Sequence, residues 1–88
     1  MQEKLKTIWE HFGSRKQVLK TIEELNEFSA SLSRFLNDDK GYFGVYEEFA
    51  DVEIMLEQLK FLFDVEVINE KKIKKIERTL ERIENCYY

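Results

Sequence analysis

The sequence predicts an all-α protein, and three observations support this. The 88 residues include no proline and only three glycines, so little in the chain interrupts a helix. Hydrophobic residues make up 43% of the chain and charged residues 36%, a balance typical of amphipathic helices rather than of disordered or β-rich sequences. Apolar residues recur at steps of three and four. We expect one domain, residues 1–88, built from four helices.

The first two helices are predicted on either side of Gly13. A short apolar face marks the first helix, and Gly13 ends it because glycine accepts left-handed backbone angles. Ser14 and Gln17 have the spacing of a capping box, in which each side chain bonds a free backbone amide. The second helix then runs to about Asn37. Its apolar stripe consists of Val18, Ile22, Leu25, Leu32 and Leu36.

The second half of the chain predicts a loop and two more helices. The loop is NDDKGYFG, residues 37–44, with two glycines and an Asn-Asp-Asp cluster. The stripe of the third helix consists of Val45, Phe49, Val52, Leu56, Leu59 and Phe63. The pattern loses its phase in DVEVIN, residues 64–69, where we expect a turn with Asn69 as the candidate N-cap. The fourth helix has a narrow seam that suits packing along one partner helix, formed by Ile73, Ile76, Leu80 and Ile83.

Charge and composition argue against several classes of protein. The formal net charge of -4 disfavours nonspecific binding to nucleic acid, which needs a basic face. The first residues, MQEKLKTIWE, lack the apolar core of a signal peptide, and no run approaches the roughly 20 apolar residues that span a bilayer. The single Cys86 cannot form an internal disulfide, and no Cys/His spacing resembles a zinc site. We therefore expect a cytoplasmic protein without membrane contact.

Two acidic pairs are the candidate functional residues. Glu24 and Glu27 are three residues apart on the second helix, so their carboxylates can point at the same volume, and Glu48 and Asp51 repeat this spacing on the third helix. Glu48 also lies on the apolar stripe, where an ionised carboxylate needs a cation nearby or stays protonated. Two such pairs can build an all-oxygen site of the kind that magnesium prefers. The alternative for either pair alone is a solvated acidic face.

Other metal sites fit the sequence less well. A di-iron carboxylate bundle uses Glu-x-x-His on two helices, and the only histidine, His11, lies outside both pairs. The segment NDDKGYFGVYEE lacks the ligand spacing of a calcium-binding EF-hand loop. Magnesium is therefore the expected ion.

At these residues the sequence resembles a known family. Glu23-Glu24-x-x-Glu27, followed by Glu48-x-x-Asp51, is similar to the signature of the MazG-like all-α nucleoside triphosphate pyrophosphohydrolases. The segments KTIEELNEFSASLSRF and EEFADVEIMLEQLKFLF resemble the small single-domain members of Firmicutes and their phages, over roughly residues 12–83. The resemblance implies that helices of two chains interleave into four-helix bundles, as a homodimer or as a homotetramer built from two dimers.

The resemblance also implies a reaction. It is the magnesium-dependent hydrolysis of a nucleoside triphosphate between the α- and β-phosphates, which gives the monophosphate and pyrophosphate, with manganese as a substitute ion. Matched residue by residue, Glu24, Glu27, Glu48 and Asp51 fall where the family holds its metal. Glu23 is the residue expected to orient these ligands or a water.

Substrate contacts are predicted for basic residues and for two aromatic residues. Lys20 and Arg34 share the acidic side of the second helix, and each can either meet phosphate oxygens or pair with a glutamate. In the final helix, the candidates for phosphate binding are Lys74, Lys75 and Arg78, for which a solvated face is the alternative. In the predicted loop, the candidates for contact with the base are Tyr42 and Phe43.

Two other functions fit the same sequence. A relative that kept the family fold without its activity would serve as a helical interaction module, and the seam of the last helix suits that role. Alternatively, the metal site serves a different substrate, a nucleoside diphosphate or a modified nucleotide. Nothing in the sequence identifies the base or the sugar.

Overall fold

The computed structural model describes residues 1–37 and 42–85, except for the side chains of Tyr42 and Phe43. Within these ranges the chain forms helices and no strand, which confirms the all-α prediction. The middle of the predicted loop, residues 38–41, and Cys86 lie outside the described residues. The helices are α1 (Gln2–Phe12), α2 (Ser14–Asn37), α3 (Tyr42–Leu59) and α4 (Val65–Glu84).

The boundary between α1 and α2 lies at Gly13, as predicted. The backbone of Gly13 has a φ of 88°, which favours glycine, and its N–H donates to the carbonyl of Trp9 at 2.9 Å. The predicted capping box is wrong. The Gln17 side chain donates from Nε2 to Gln58 Oε1 at 2.8 Å, because Gln17 lies on the face of α2 that packs against α3. A buried amide requires a partner there.

The third helix begins earlier than the sequence predicted. α3 starts at Tyr42, so Tyr42 and Phe43 belong to its first turn and not to a loop. Gly44, predicted to lie at the end of the loop, is inside α3. One glycine in a helix costs only about 1 kcal/mol, which packing of the helix can offset. At its other end α3 stops at Leu59, before Phe63.

The fourth helix also begins earlier, because a different residue caps it. Asp64 is the N-cap of α4, and its Oδ1 accepts hydrogen bonds from the backbone N–H groups of Glu66 at 2.9 Å and Val67 at 3.4 Å. An aspartate oxygen in this position satisfies amides that have no partner within the helix. Asn69 lies inside α4, so the turn predicted at residues 64–69 is wrong.

α2 and α3 are an antiparallel pair, and α1 packs against both. Two contacts show the register of this pair: Gln17 meets Gln58, and the rings of Phe28 and Phe49 lie 5.2 Å apart between centroids. Trp9 of α1 contacts Phe61, just beyond α3, with ring centroids 6.0 Å apart. In the described part of the chain, the buried hydrophobic residues are Val52 and Met55.

The apolar stripe predicted for α2 does not face α3. Four of its five residues are more than two-fifths exposed, namely Ile22, Leu25, Leu32 and Leu36. The buried residues of α2 are instead polar, and they are Gln17, Thr21, Glu24 and Ser31. Within one chain, α2 therefore buries a polar face and leaves its apolar stripe uncovered.

α4 extends away from the other three helices and contains no buried residue. The chain is correspondingly extended, with a radius of gyration of 16.3 Å, against about 12 Å for a compact domain of this length. In the described ranges, every helix is too short or too polar to cross a lipid bilayer.

Candidate metal centre

Three of the four predicted ligands meet between α2 and α3. One carboxylate oxygen from each of Glu24, Glu27 and Glu48 lies within 4.8 Å of the other two, and we call these residues the carboxylate cluster. The three-residue spacing puts Glu24 and Glu27 on one face of α2. The antiparallel packing of α3 then brings Glu48 against that face.

The carboxylate cluster has buried oxygens with no hydrogen-bond partner. Oε2 of Glu24 and Oε2 of Glu48 are both buried, and neither accepts a hydrogen bond within the described part of the chain. Glu24 as a residue is only 6% exposed, Glu48 is half-buried and Glu27 is exposed. A buried anionic oxygen without a partner is unfavourable, and a cation between the two helices would relieve it. The residues present therefore fit a hard divalent ion.

The electrostatics of the centre point the same way. Partial burial, followed by the negative charges of Glu27, Asp51 and Glu24, raises the pKa of Glu48 above its ordinary value of 4.5. Partial desolvation of its carboxyl group, followed by the charge of Glu24, also raises the pKa of Asp51 above its ordinary value of 3.8. Without a cation, the carboxylates thus disfavour each other's ionisation.

Asp51 and Glu23 lie at the edge of the cluster. Asp51 is exposed and is not one of the three converging carboxylates, although the charge of Glu24 acts on it. Glu23 is exposed as well, and its charge acts on Lys20. The structure therefore brings three predicted ligands together and leaves Asp51 beside them.

Lys20 makes the ion pair that was one of its two predicted roles. Its Nζ lies 3.1 Å from Glu24 Oε1, and this hydrogen bond, followed by the charge of Glu23, raises the pKa of Lys20. Within the described ranges, Glu24 thus has one oxygen paired with Lys20 and the other without a partner. Arg34 is exposed, and within the described residues it forms no ion pair.

The other predicted substrate contacts are not assembled at the cluster within one chain. α4 makes no close approach to α2. It carries three exposed phosphate-binding candidates, Lys74, Lys75 and Arg78. The side chains of Tyr42 and Phe43 lie outside the described part of the structure.

Sequence reasoning missed a row of buried polar residues that continues from the cluster along α2. Thr21, 3% exposed, donates from Oγ1 to the carbonyl of Gln17 at 2.7 Å. Ser31 is fully buried, and its Oγ has no hydrogen-bond partner within the described residues. Helical spacing could have identified this row in the sequence, because Gln17, Thr21 and Ser31 recur on the same side of the helix as Glu24.

An oxygen-only set of this kind can hold magnesium or manganese but offers no soft ligand for copper or zinc. No protein-family model, curated protein or solved structure matches the chain. The carboxylate cluster is therefore the feature of the described structure that bears most directly on function.

Proposed function

We propose that the protein is a magnesium-dependent hydrolase that cuts a nucleoside triphosphate between the α- and β-phosphates, releasing the monophosphate and pyrophosphate. The observation that carries this proposal is a pair of buried carboxylate oxygens, one on Glu24 and one on Glu48, that have no hydrogen-bond partner among the residues that the structure describes. They belong to two acidic motifs on separate helices, and both motifs resemble those of the MazG-like family. An acidic face without a ligand would not need to bury such oxygens.

Each acidic residue has a distinct part in this function. Glu24, Glu27 and Glu48 hold the ion, and Asp51 supplies a further oxygen from the edge of the cluster. When bound, magnesium or manganese supplies positive charge against the triphosphate and lowers the pKa of the attacking water. Glu23 orients the ligands or that water from the exposed side of α2.

Lys20 has a role that depends on occupancy of the metal centre. In the absence of metal it neutralises part of the charge of Glu24 across a distance of 3.1 Å. With a divalent ion held by the carboxylate cluster, Lys20 would no longer be needed to neutralise Glu24. The exposed stem of Lys20 then lets its ammonium group turn to a phosphate oxygen.

We also propose that the chain assembles as a homodimer or as a dimer of dimers, in interleaved four-helix bundles. The described chain has an accessible surface of 7590 Å², whereas a compact monomer of 10.7 kDa exposes about 5,500 Å². The excess of about 2,000 Å² is of the size that obligate interfaces remove. The uncovered stripes of α2 and α4 supply the apolar part of this surface.

Assembly would also give the basic residues of α4 a place near a phosphate. Lys74, Lys75 and Arg78 lie on α4, which does not pack against any of the other three described helices. In an interleaved assembly, α4 packs on another chain, and its basic residues become available to a substrate bound there.

The decisive experiment is a product analysis with a panel of nucleoside triphosphates and diphosphates in the presence of magnesium. We expect a monophosphate and pyrophosphate from at least one triphosphate. In water labelled with heavy oxygen, the label should enter the monophosphate or the pyrophosphate and not free phosphate. Release of free phosphate with a diphosphate left behind would reject the α–β cut. Turnover confined to diphosphates would identify a nucleoside diphosphate as the substrate. No turnover of any nucleotide would favour the interaction module.

A further inference from the structure

A groove lies beside the carboxylate cluster, between α1, α2 and α3, and two buried glutamines form part of its wall. Its volume is about 490 Å³, within the range of ligand pockets. Phe12 and Ile8 of α1 contribute an apolar side, and Lys20 stands at the end nearest to Glu24. We call it the amide groove, after Gln17 and Gln58.

The two glutamines are buried but not fully satisfied. Gln17 is 6% exposed and Gln58 is 1% exposed, and the Nε2 of Gln17 donates to the Oε1 of Gln58 at 2.8 Å. Among the described residues, the Nε2 of Gln58 has only the sulfur of Met55 as a partner, at 3.8 Å. A thioether is a weak acceptor, so a buried primary amide keeps hydrogen-bonding capacity that the protein does not use.

The spacing between the amides and the carboxylate cluster is that of the two ends of a nucleotide. Gln17 precedes Glu24 by seven residues on the same buried face of α2, which is about 10 Å along the helix axis. Lys20 lies between them, one turn from each. A sugar and a base bridge a distance of this order when the phosphates lie at the carboxylates.

The groove also offers the apolar surface that the flat face of a base needs. The Phe12 side chain is half exposed, and Ile54 on the α3 side is 44% exposed. Aromatic and aliphatic surfaces of this kind bind the face of a base, while hydrogen bonds read its edge. The groove thus combines an apolar wall with a polar recess.

We propose that Gln17 and Gln58 are specificity-determining residues that bind the hydrogen-bonding edge of the nucleobase in the amide groove. The inference rests on the proposed function, because it takes the phosphates to lie at the carboxylate cluster. A primary amide presents one acceptor and two donors, so the pair matches a base edge on which a donor and an acceptor are adjacent. The chain then prefers one base, because the two amides constrain each other through their mutual hydrogen bond.

The test uses the full-length chain and two substitutions that keep side-chain volume, Gln17→Met and Gln58→Met. The control is Gln2→Met, since Gln2 is an exposed glutamine on α1 outside the amide groove. Kinetics are measured with triphosphates of adenine, guanine, cytosine and uracil, and with inorganic tripolyphosphate, which has no base. We expect each groove variant to lose about tenfold in kcat/KM for the preferred nucleotide, through KM. The ratio of kcat/KM between the preferred base and the other bases should fall, and turnover of tripolyphosphate should stay as in the parent.

A second measurement separates this proposal from the hydrolase proposal, because it needs no turnover. Nucleoside 5′-monophosphates of the four bases are added to ¹⁵N-labelled protein in the presence of magnesium, and the side-chain amide signals of Gln17 and Gln58 are followed. We expect one base to shift both signals more than the others do. If the protein hydrolyses no nucleotide but shows this response, base binding in the amide groove is supported and the hydrolase proposal is rejected. Unshifted amide signals with all four bases would overturn the inference, as would groove variants with the parent's base preference.

Discussion

The facing surfaces of α2 and α3 bury polar side chains beside a few apolar ones, whereas the outer surface of α4 leaves apolar side chains exposed. Between α2 and α3 the chain buries Gln17, Glu24 and Gln58, and two carboxylate oxygens there have no hydrogen-bond partner in the described part of the chain. On α4 the side chains of Ile76 and Leu80 are more than half exposed. Burial of apolar surface is the main favourable contribution to folding, and burial of polar groups is costly. In a single chain, the buried polar groups of the first region and the exposed apolar groups of the second are therefore both unfavourable.

The two departures have different explanations. Polar groups buried inside one chain indicate a ligand, because a cation or a nucleotide would satisfy groups that the protein leaves incomplete. Apolar groups exposed on the outside indicate another protein surface, because contact with a second copy would remove them from water. The region between α2 and α3 is therefore a candidate ligand site within the chain, and the outer surface of α4 is a candidate interface between chains.

The largest effect is expected for Glu48→Gln. The amide keeps the shape of the side chain but removes the charge that holds the ion, so nucleotide turnover should fall by about a hundredfold or more. Circular dichroism should show unchanged helical content. The control is Glu53→Gln, because Glu53 is an exposed glutamate on the same helix and outside the carboxylate cluster. Activity of Glu48→Gln within a few-fold of the parent would mean that the metal site lies elsewhere.

The next effect concerns assembly and tests the interface side of the comparison. The parent chain should be at least a dimer at micromolar concentration by light scattering. Ile76→Asp places a charge in the exposed seam of α4 and should shift the mass to that of a monomer or prevent folding. Lys71→Asp is the control, because residue 71 lies on the opposite side of α4 from residue 76. A monomeric parent chain, or a dimeric Ile76→Asp protein of parental stability, would contradict the proposed assembly.

Magnesium should stabilise the folded protein, which tests the ligand side. At a concentration a hundred times its Kd, an ion that binds only the folded state adds about 2.7 kcal/mol. The thermal midpoint of a domain of this size should then rise on the order of 10 °C. The response should disappear in Glu48→Gln and persist in Glu53→Gln. A midpoint that magnesium leaves unchanged would argue against a preformed metal site.

The metal-free protein should lose stability as the pH rises. A carboxyl whose pKa is raised on folding favours the folded state below its ordinary pKa, 4.5 for Glu48 and 3.8 for Asp51. That contribution is lost as the pH rises through the raised values. Urea unfolding in the presence of a chelator, at a series of pH values, measures the slope. The free energy of unfolding of Glu48→Gln should decrease less steeply with pH than that of the parent. Equal slopes would mean that Glu48 ionises as readily in the folded state as in the unfolded state.

The smallest effect is expected at the start of α4. Asp64→Ala removes the oxygen that accepts from the N–H groups of Glu66 and Val67, and should lower the free energy of unfolding by about 1 kcal/mol. Asp64→Asn keeps a capping oxygen and should be close to the parent. Hydrogen exchange of the first amides of α4 locates the change, and a loss of equal size in both variants would argue against capping as its cause.

Local features of the sequence determined the helical class, the end of α1 and the two acidic pairs. Gly13 identified a helix end because its backbone preference is local, and it needs no tertiary contact to act. The spacing of Glu24 and Glu27 likewise follows from helix geometry alone. The predicted starts of α3 and α4 were wrong. The cost of Gly44 in a helix is small, and so is the difference between Asp64 and Asn69 as caps, so that packing decides both helix starts.

Only the tertiary structure decided which face of α2 would be buried and which residues would meet across the two helices. Periodicity identified an apolar stripe, but it does not specify how far a helix is rotated about its axis relative to its neighbour. The contact of Gln17 with Gln58 and the approach of Glu48 to Glu24 also depend on the register of an antiparallel pair. That register is set by contacts between residues far apart in the chain, such as Phe28 and Phe49, which no local pattern contains.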